Sequence, residues 1–408
     1  MDRFQTRELE SDYPDVRRAA RNTSFCTPPL GYAFSKRLTS PNKEAMSAHL
    51  QNLIHHFILR EDAGESDFNE LALEIFHHQF THNSPFQAYC RSLGQTPRRV
   101  KSWMDIPAVS INAFKDLTLS CKPVQECSRV FMTSGTTRGD MKGRNYHVGL
   151  EIYDLSMKRF FEPSFMTGLG NKPLMATLFP SESHMPNSSL AHYLDLARNE
   201  FGSPQSRCLF DQGVLDVPKA IEFLNLACKE GNSVALLGAT FSFVHLMDAL
   251  EELRLDTEFQ LPRGSKILDT GGFKGQSREI PMHVFYEKIH HFFGIEPQQS
   301  INMYGMTELS SQFYDHGQFK TPVLKLAPHW MKSKTIDPVS GETLPVGEKG
   351  LLVHCDLANF NSVSCILTED LGIMFDKGFQ LLGRLSGAQP KGCSIGVDQQ
   401  HHEVRGVS

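Results

Sequence analysis

The strongest constraint on the fold is an alternation in the middle of the chain. The short apolar runs LMATLF, SVALLGATF and SKILDTGGF are interleaved with the amphipathic stretches VPKAIEFLNLACKEG, FVHLMDALEELRL and REIPMHVFYEKIHHFFG. Runs of this length read as buried strands, and the interleaved stretches repeat apolar residues at helical spacing, two of them ending near a glycine. Strand and helix in alternation predict an α/β protein with a largely parallel sheet. Upstream, SDFNELALEIFHHQFTHN predicts a helix capped by Ser66 or Asp67, with Phe68, Leu71, Ile75 and Phe76 on its buried stripe. Beyond Pro328 the texture becomes β: SKTIDPVSGETLPVGEKGLLVHCDL has Asp-Pro and Ser-Gly turn signals between short strands. The expected organisation is an N-terminal arm over 1–45, an α/β core over 46–328, a β-rich subdomain over 329–392 and a C-terminal tail over 393–408.

Composition narrows the possible partners. With 40% hydrophobic and 21% charged residues among 408, the chain is an ordinary globular protein with room for a large core. Forty-one basic against forty-six acidic residues give a net charge of −5, which offers nothing to nucleic acid or an anionic membrane. The N-terminus MDRFQTRELESDYPDVRRAA lacks the apolar stretch of a signal peptide, and no run reaches membrane-spanning length. Nine cysteines without regular CxxC pairing point to reduced thiols and a cytoplasmic location. His77, His78 and His82, the pair His290 and His291, and the pair His401 and His402 lack partners at zinc spacing and read as surface or tail histidines.

Four stretches have residues suited to binding chemistry. VFMTSGTTRGDMKG places four hydroxyls and three glycines after a short apolar run. Such a loop can cradle phosphate oxygens with its amides and hydroxyls, or be a plain surface turn. It lacks the spacing of a nucleoside-triphosphatase loop. In INMYGMTELSSQF, Thr307 beside Glu308 suits phosphate and magnesium, and equally suits a helix start. TGGFKG, after the strand-like KILD, lets a flat ligand lie against Gly271 and Gly272 near Phe273, or forms a turn. In SVSCILTEDLGIMFDKGFQLLGRLSGAQPKGCS, Asp370 at a strand end could accept two hydrogen bonds from a sugar diol, and Arg384 could reach a carboxylate or phosphate. Either could equally be a surface charge.

Taken in order, these pieces resemble the adenylate-forming superfamily of acyl-CoA synthetases, luciferases and peptide-synthetase adenylation domains. TSGTT resembles its phosphate loop, YGMTE its YGxTE segment, TED its TGD and Gly383-Arg384 its GR, while TIDPVSGETLPVGEKG resembles its glycine-punctuated strand pair. Within that superfamily the chain is similar to the acyl-protein synthetases of the LuxE family, which serve fatty-acid reduction. WMDIPAVSINAFK, DTGGFKGQSRE, NMYGMTELSSQFYD, DLANFNSVSCILTEDLG and GRLSGAQPKGCS carry that similarity over roughly residues 45–396.

The resemblance implies the large-domain fold of those enzymes and the activation of a fatty acid by ATP with Mg²⁺. It implies that Thr133, Ser134, Gly135, Thr136 and Thr137 form the nucleotide loop, the last four on the phosphates. Thr307 would meet the α-phosphate region, Glu308 would bind Mg²⁺, and Asp370 would hold the ribose hydroxyls. Arg384 would support the nucleotide from the far side, Gly271, Gly272, Phe273 and Tyr304 would flank the adenine, and Gly305 would belong to the same nucleotide site. His184 and His245 fall where superfamily members shape the acyl pocket, or are ordinary half-buried histidines.

Twenty-four residues follow Arg384, too few for the superfamily's second domain, so the acyl acceptor is expected elsewhere. Cys393 in PKGCS matches the LuxE-family acyl-carrying cysteine by position, and Lys391 could favour its thiolate. The implied partner is an acyl-accepting protein, reductase-like or a carrier, in a hetero-oligomer. The competing readings are an acyl-CoA or acyl-carrier ligase, and a non-catalytic nucleotide-binding subunit. One departure from the family pattern is the loop's second half, where Arg138 stands in place of a glycine and Gly139, Asp140, Met141 and Lys142 follow with one residue extra.

Overall fold

A computed structural model describes residues 43–133, 141–271, 280–317 and 321–385. Ser134, Gly135, Thr136, Thr137, Arg138, Gly139, Asp140, Gly272, Phe273, Lys391 and Cys393 lie outside the described residues. The chain divides into two units at Ala45, and the first contributes Lys43–Ala45, the start of the first helix, to the description.

The second unit opens within helix α1 (Lys43–Leu59) and continues with α2 (Glu65–His82) and α3 (Ser84–Ser92), then strand β1 (Val109–Ser110) and the short α4 (Ala113–Asp116). A hairpin of β2 (Arg129–Met132) and β3 (Arg144–His147) precedes α5 (Glu151–Phe161), β4 (Leu174–Leu178) and α6 (Ser189–Phe201). Short strands β5 (Arg207–Cys208), β6 (Phe210–Asp211) and β7 (Val214–Leu215) lead to α7 (Val217–Glu230). The alternation continues through β8 (Val234–Ala239), α8 (Thr240–Glu252), β9 (Lys266–Thr270), α9 (Met282–Phe293) and β10 (Ser300–Tyr304). The described chain closes with β11 (Phe313–Tyr314), β12 (Met331–Ile336), β13 (Lys349–Asp356), β14 (Cys365–Phe375) and β15 (Gly378–Arg384).

Two sheets dominate. The first runs β11-β10-β9-β8-β4-β5, with every pairing parallel except β10 to β11, as the alternating pattern predicts. Its strands are apolar on both faces because helices cover both. Leu174, Ala176, Leu178, Leu236 and Ile267 face the core with α7, α8 and α9. Their neighbours Met175, Ala235, Leu237, Leu268 and Ile301 face the core with α5 and α6.

The second sheet is β1-β14-β13-β12, with β15 also on β14. It is antiparallel apart from β1, which runs parallel to β14. The turn at Asp337, whose carboxylate accepts from the amides of Val339 and Ser340, makes the expected bend between β12 and β13. The core of this sheet includes Leu50, Ile54, Phe68, Ile75 and Phe86 from the first three helices, with Leu352, Cys355, Ile366 and Phe379.

Local boundaries differ from expectation at two places. The cap of α2 is Gly64, while Ser66 and Asp67 lie inside the helix. Asp67 at the third helical position accepts from the Gly64 amide at 2.8 Å, so its carboxylate closes the turn from within. Thr240 and Phe241 end the expected strand SVALLGATF early, because Thr240 already begins α8 and its hydroxyl donates to Asp269.

Candidate active site

The hairpin β2–β3 carries the hydroxyl-rich loop at its tip. Strand alternation puts Phe131, Asn145 and His147 inward, all three buried. The stem is pinched shut where the Thr133 amide donates to Gly143 O at 3.0 Å and the Gly143 amide donates to Thr133 Oγ1 at 2.9 Å. Thr133 is the one residue of the predicted TSGTT loop that lies within the described structure.

The YGMTE segment leaves the sheet at the end of β10, beside this stem. Thr307 and Glu308 form a turn rather than a helix start. Their backbone is held by side chains from elsewhere: Asn145 Nδ2 donates to Thr307 O at 3.1 Å, and Asn359 Nδ2 donates to Glu308 O at 2.8 Å. Glu308 is buried, and a Cβ placed on Gly143 would stand 3.5 Å from its Oε1. The carboxylate therefore sits beside the stem of the loop, within contact distance of Gly143.

On the other side of Tyr304, the phenol donates to Asp370 Oδ2 at 2.7 Å, and Asp370 Oδ1 lies 3.5 Å from Arg384 Nε. Asp370 is not at a strand end but inside β14, directly opposite Arg384 of β15. It falls where β14 passes from β1 as neighbour to β15, next to the register shift after Leu371. Arg384 is exposed, whereas Asp370 is largely covered.

The ring of Tyr304 packs among Phe313, His354 and Phe379. Burial, then the Asp370 carboxylate, push its phenol well above the ordinary range, so it stays a proton donor. His354 is fully buried and pushed down to about 3, hence neutral, with Nδ1 2.7 Å from Ser333 Oγ. His354 Nε2 lies 3.4 Å from the Tyr304 hydroxyl.

Beneath these residues, the carboxyl ends of β9 and β10 share a buried polar network. Asp269 accepts from Tyr286 at 3.0 Å, Thr240 at 3.1 Å and Asn302 at 2.9 Å. Lys325 reaches Asp315 at 2.9 Å and Asn302 O at 2.8 Å. Burial raises the Asp269 carboxyl to about 6, against the pull of Asn302 and Lys325. Thr270 Oγ1 donates to Met303 O at 2.9 Å, tying the two strand ends from which Gly271 and Tyr304 emerge. Gly271 has a φ of 75°, a left-handed conformation that favours glycine. Gly305 is exposed next to Tyr304. Ligands of open parallel sheets bind at this edge.

The structure thus gathers Thr133, Gly271, Tyr304, Thr307, Glu308, Asp370 and Arg384 around the loop stem and the carboxyl ends of β9 and β10. It also brings in Asn145, Asn359, His354 and Ser333, which sequence reasoning did not select. For Asn359 the available signal was DLANFNS, a stretch that carried the resemblance without an assigned role, whereas Asn145, Ser333 and His354 lie outside it. His184 is bound locally, its Nδ1 2.8 Å from Ser181 Oγ, and His245 lies edge-on to Phe241 on α8. Among the described residues no three His, Cys, Asp or Glu side chains form a metal cage. A buried carboxylate such as Glu308 beside the stem of the hydroxyl-rich loop fits magnesium, which takes one or two carboxylates and completes its shell with phosphate oxygens and water.

Among the described residues no helix is long and apolar enough to cross a membrane.

Comparison with known proteins follows the same lines. Residues 212–401 match the acyl-protein synthetase (LuxE) family. The chain is 22% identical over 341 residues to the long-chain-fatty-acid–luciferin-component ligase of Vibrio harveyi, covering 81% of this chain and 87% of that one. It is 20% identical over 346 residues to the ligase of the same name from Aliivibrio fischeri, with coverage again 81% and 87%. The fold is similar to 2-hydroxyisobutyryl-CoA ligase in the postadenylation state with 2-HIB-AMP, at a TM-score of 0.60 and 15% identity, covering 79% of this chain and 68% of that one. An open conformation of that ligase gives a TM-score of 0.57 at 14% identity, covering 81% and 75%. The α/β fold expected from the sequence is therefore that of adenylate-forming ligases.

Proposed function

We propose that this chain, whose residues 212–401 match the acyl-protein synthetase (LuxE) family, is an ATP-dependent ligase of that family that activates a fatty acid and passes the acyl group to a protein. The observation that carries this reading is the convergence of Glu308, the Thr133–Gly143 stem and the Tyr304–Asp370–Arg384 group at one edge of the parallel sheet. The names of the two bacterial relatives support a long-chain fatty acid as substrate.

In the first half-reaction the ionised fatty-acid carboxylate attacks the α-phosphorus of ATP. A new oxygen–phosphorus bond forms, the bond to the departing pyrophosphate breaks, and acyl-adenylate results. The barrier is dominated by aligning two anions and spreading charge, so positioned donors matter more than covalent chemistry by the protein. Thr133 begins the nucleotide loop, whose residues 134–137 hold the phosphates, with Thr307 near the α-phosphate. Asp370 takes the ribose hydroxyls, Arg384 lies alongside, and Gly271, Gly272, Phe273 and Tyr304 flank the base, with Gly305 next to them. Glu308 would hold Mg²⁺, which when bound would offset phosphate charge.

In the second half-reaction the Cys393 thiolate attacks the acyl carbonyl and AMP leaves with the electrons of the acyl–oxygen bond. A thiol or other nucleophile on an acceptor protein, such as a reductase, then attacks the thioester carbonyl, taking the acyl group as the acyl–sulfur bond breaks and the Cys393 thiolate leaves.

The test is to incubate the purified protein with ATP, Mg²⁺ and labelled long-chain fatty acids, follow pyrophosphate exchange, and find the label by mass spectrometry. Label on Cys393, lost in Cys393→Ser while pyrophosphate exchange persists, is the expected result. Turnover that needs coenzyme A would replace the thioester step with direct ligation, and absence of pyrophosphate exchange would overturn the activity altogether.

A further inference from the structure

The connection between β13 and β14 is a buried loop, and a buried loop must find partners for its peptide groups. Gln79 and Asn83 of the helical layer serve one side, with Gln79 Nε2 donating to the carbonyls of Asn359 and Phe360 at 3.1 Å each and Asn83 donating to Ser362 O at 3.1 Å. Asn359 serves the opposite side. Its amide donates to Glu308 O at 2.8 Å and Val363 O at 2.9 Å, and accepts from Ser310 Oγ at 3.1 Å and Asn145 Nδ2 at 3.2 Å. Two donors and two acceptors exhaust the amide, so it has no alternative orientation that keeps its bonds.

Asn145 Nδ2 meanwhile donates to Thr307 O. The consecutive carbonyls of Thr307 and Glu308 are thus each held by an asparagine, and the two asparagines hold each other. Asn145 lies two residues along β3 from Gly143, the residue that closes the loop stem beside Glu308. Its own Oδ1 is buried without a partner, a defect that a side chain selected for packing alone would not carry.

We infer that Asn145 and Asn359 are positioning residues, a clamp that sets Thr307 and Glu308 against the loop stem so that the Glu308 carboxylate meets the cation of a bound nucleotide in one orientation. This rests on the nucleotide reading of the site proposed above. The clamp acts on the metal-linked part of nucleotide binding and leaves the ribose end, around Asp370, untouched.

The test is calorimetric titration of the full chain with a non-hydrolysable ATP analogue, with and without Mg²⁺. In Asn145→Leu, affinity without Mg²⁺ should stay within about twofold, while the gain on adding Mg²⁺ should fall about tenfold, the low end of what losing a residue that orients a metal ligand costs. Asn361→Ala is the control. It removes an amide of the same loop that bonds Tyr146 O at 2.8 Å and Ser120 Oγ at 3.2 Å, and should keep the full Mg²⁺ gain. An unchanged Mg²⁺ gain in Asn145→Leu, or an equal loss in Asn361→Ala, overturns the clamp while leaving the nucleotide site standing. Wild-type protein that binds no nucleotide would instead overturn the site, and the clamp with it. Asn145→Ser is the second variant: if neither it nor Asn145→Leu folds by circular dichroism, the pair holds the core rather than the site, and the inference is overturned.

Discussion

Tyr304 does two jobs through one hydroxyl. Its ring fills the space between Phe313, His354 and Phe379, and its proton fixes one oxygen of Asp370 at 2.7 Å. The other carboxylate oxygen faces Arg384, whose exposed guanidinium at 3.5 Å adds little by itself. Tyr304→Phe keeps the packing and frees Asp370 to turn. We expect the KM for ATP in pyrophosphate exchange to rise about fivefold, the worth of one hydrogen bond near 1 kcal/mol, with kcat close to unchanged. An unaltered KM would mean that Asp370 holds its orientation without the phenol. The individual candidates, Tyr304, Asp370 and Arg384, were legible from their motifs. Their bonding was not, because 66 residues separate the phenol from the carboxylate it orients.

At the level of elements, α2 shows how far periodicity reaches. Phe68, Leu71, Ile75 and Phe76 are buried as their spacing requires. Gln79 continues the same stripe and is also fully buried, although it is polar. Its side-chain amide donates to two carbonyls of the β13–β14 connection, and its oxygen accepts from the amide and hydroxyl of Ser364 at 3.1 Å each. Nothing near Gln79 in sequence announces these partners, which lie some 280 residues on. Gln79→Leu keeps the volume and strands the buried carbonyls. We expect it to lower the urea unfolding free energy by about 2–4 kcal/mol, since each buried polar group left unpaired costs about 1–3 kcal/mol. A loss below 1 kcal/mol would show that the connection re-pairs without the helix.

For the whole molecule, acid stability follows from histidines kept neutral in the interior. Burial pushes His78 and His147 down to about 4 and His354 to about 3, from an ordinary 6.5. A folded pKa below the unfolded one means that the unfolded chain takes the proton first. The stabilisation is therefore present above pH 6.5 and drains as pH falls toward those values. Asp269 and Asp356, raised by burial to about 6, act in the opposite sense and favour the fold as pH falls from 6 toward 3.8.

His147 isolates one of these contributions, because its Nε2 is buried without a partner beside Phe131 and Tyr153. His147→Phe should lose less stability than wild type between pH 6.5 and 4.5, by up to about 1.4 kcal/mol per pH unit in urea unfolding. Parallel pH profiles for the two proteins would show that His147 gains its proton within the fold.

The sequence by itself determined the architecture of the parallel sheet and the order of its nucleotide-type motifs. Both depend on residues a few positions apart: apolar spacing selects helix or strand, and glycine and hydroxyl clusters mark the loops between them. The tertiary structure alone decided that Asp370 lies within β14 facing Arg384, that Glu308 stands beside Gly143, and that Asn145 and Asn359 meet. Those contacts join segments far apart in the chain through bonds only a few ångströms long. An asparagine in a strand or loop gives no local sign of which distant carbonyl it holds, so only the packed fold reveals it.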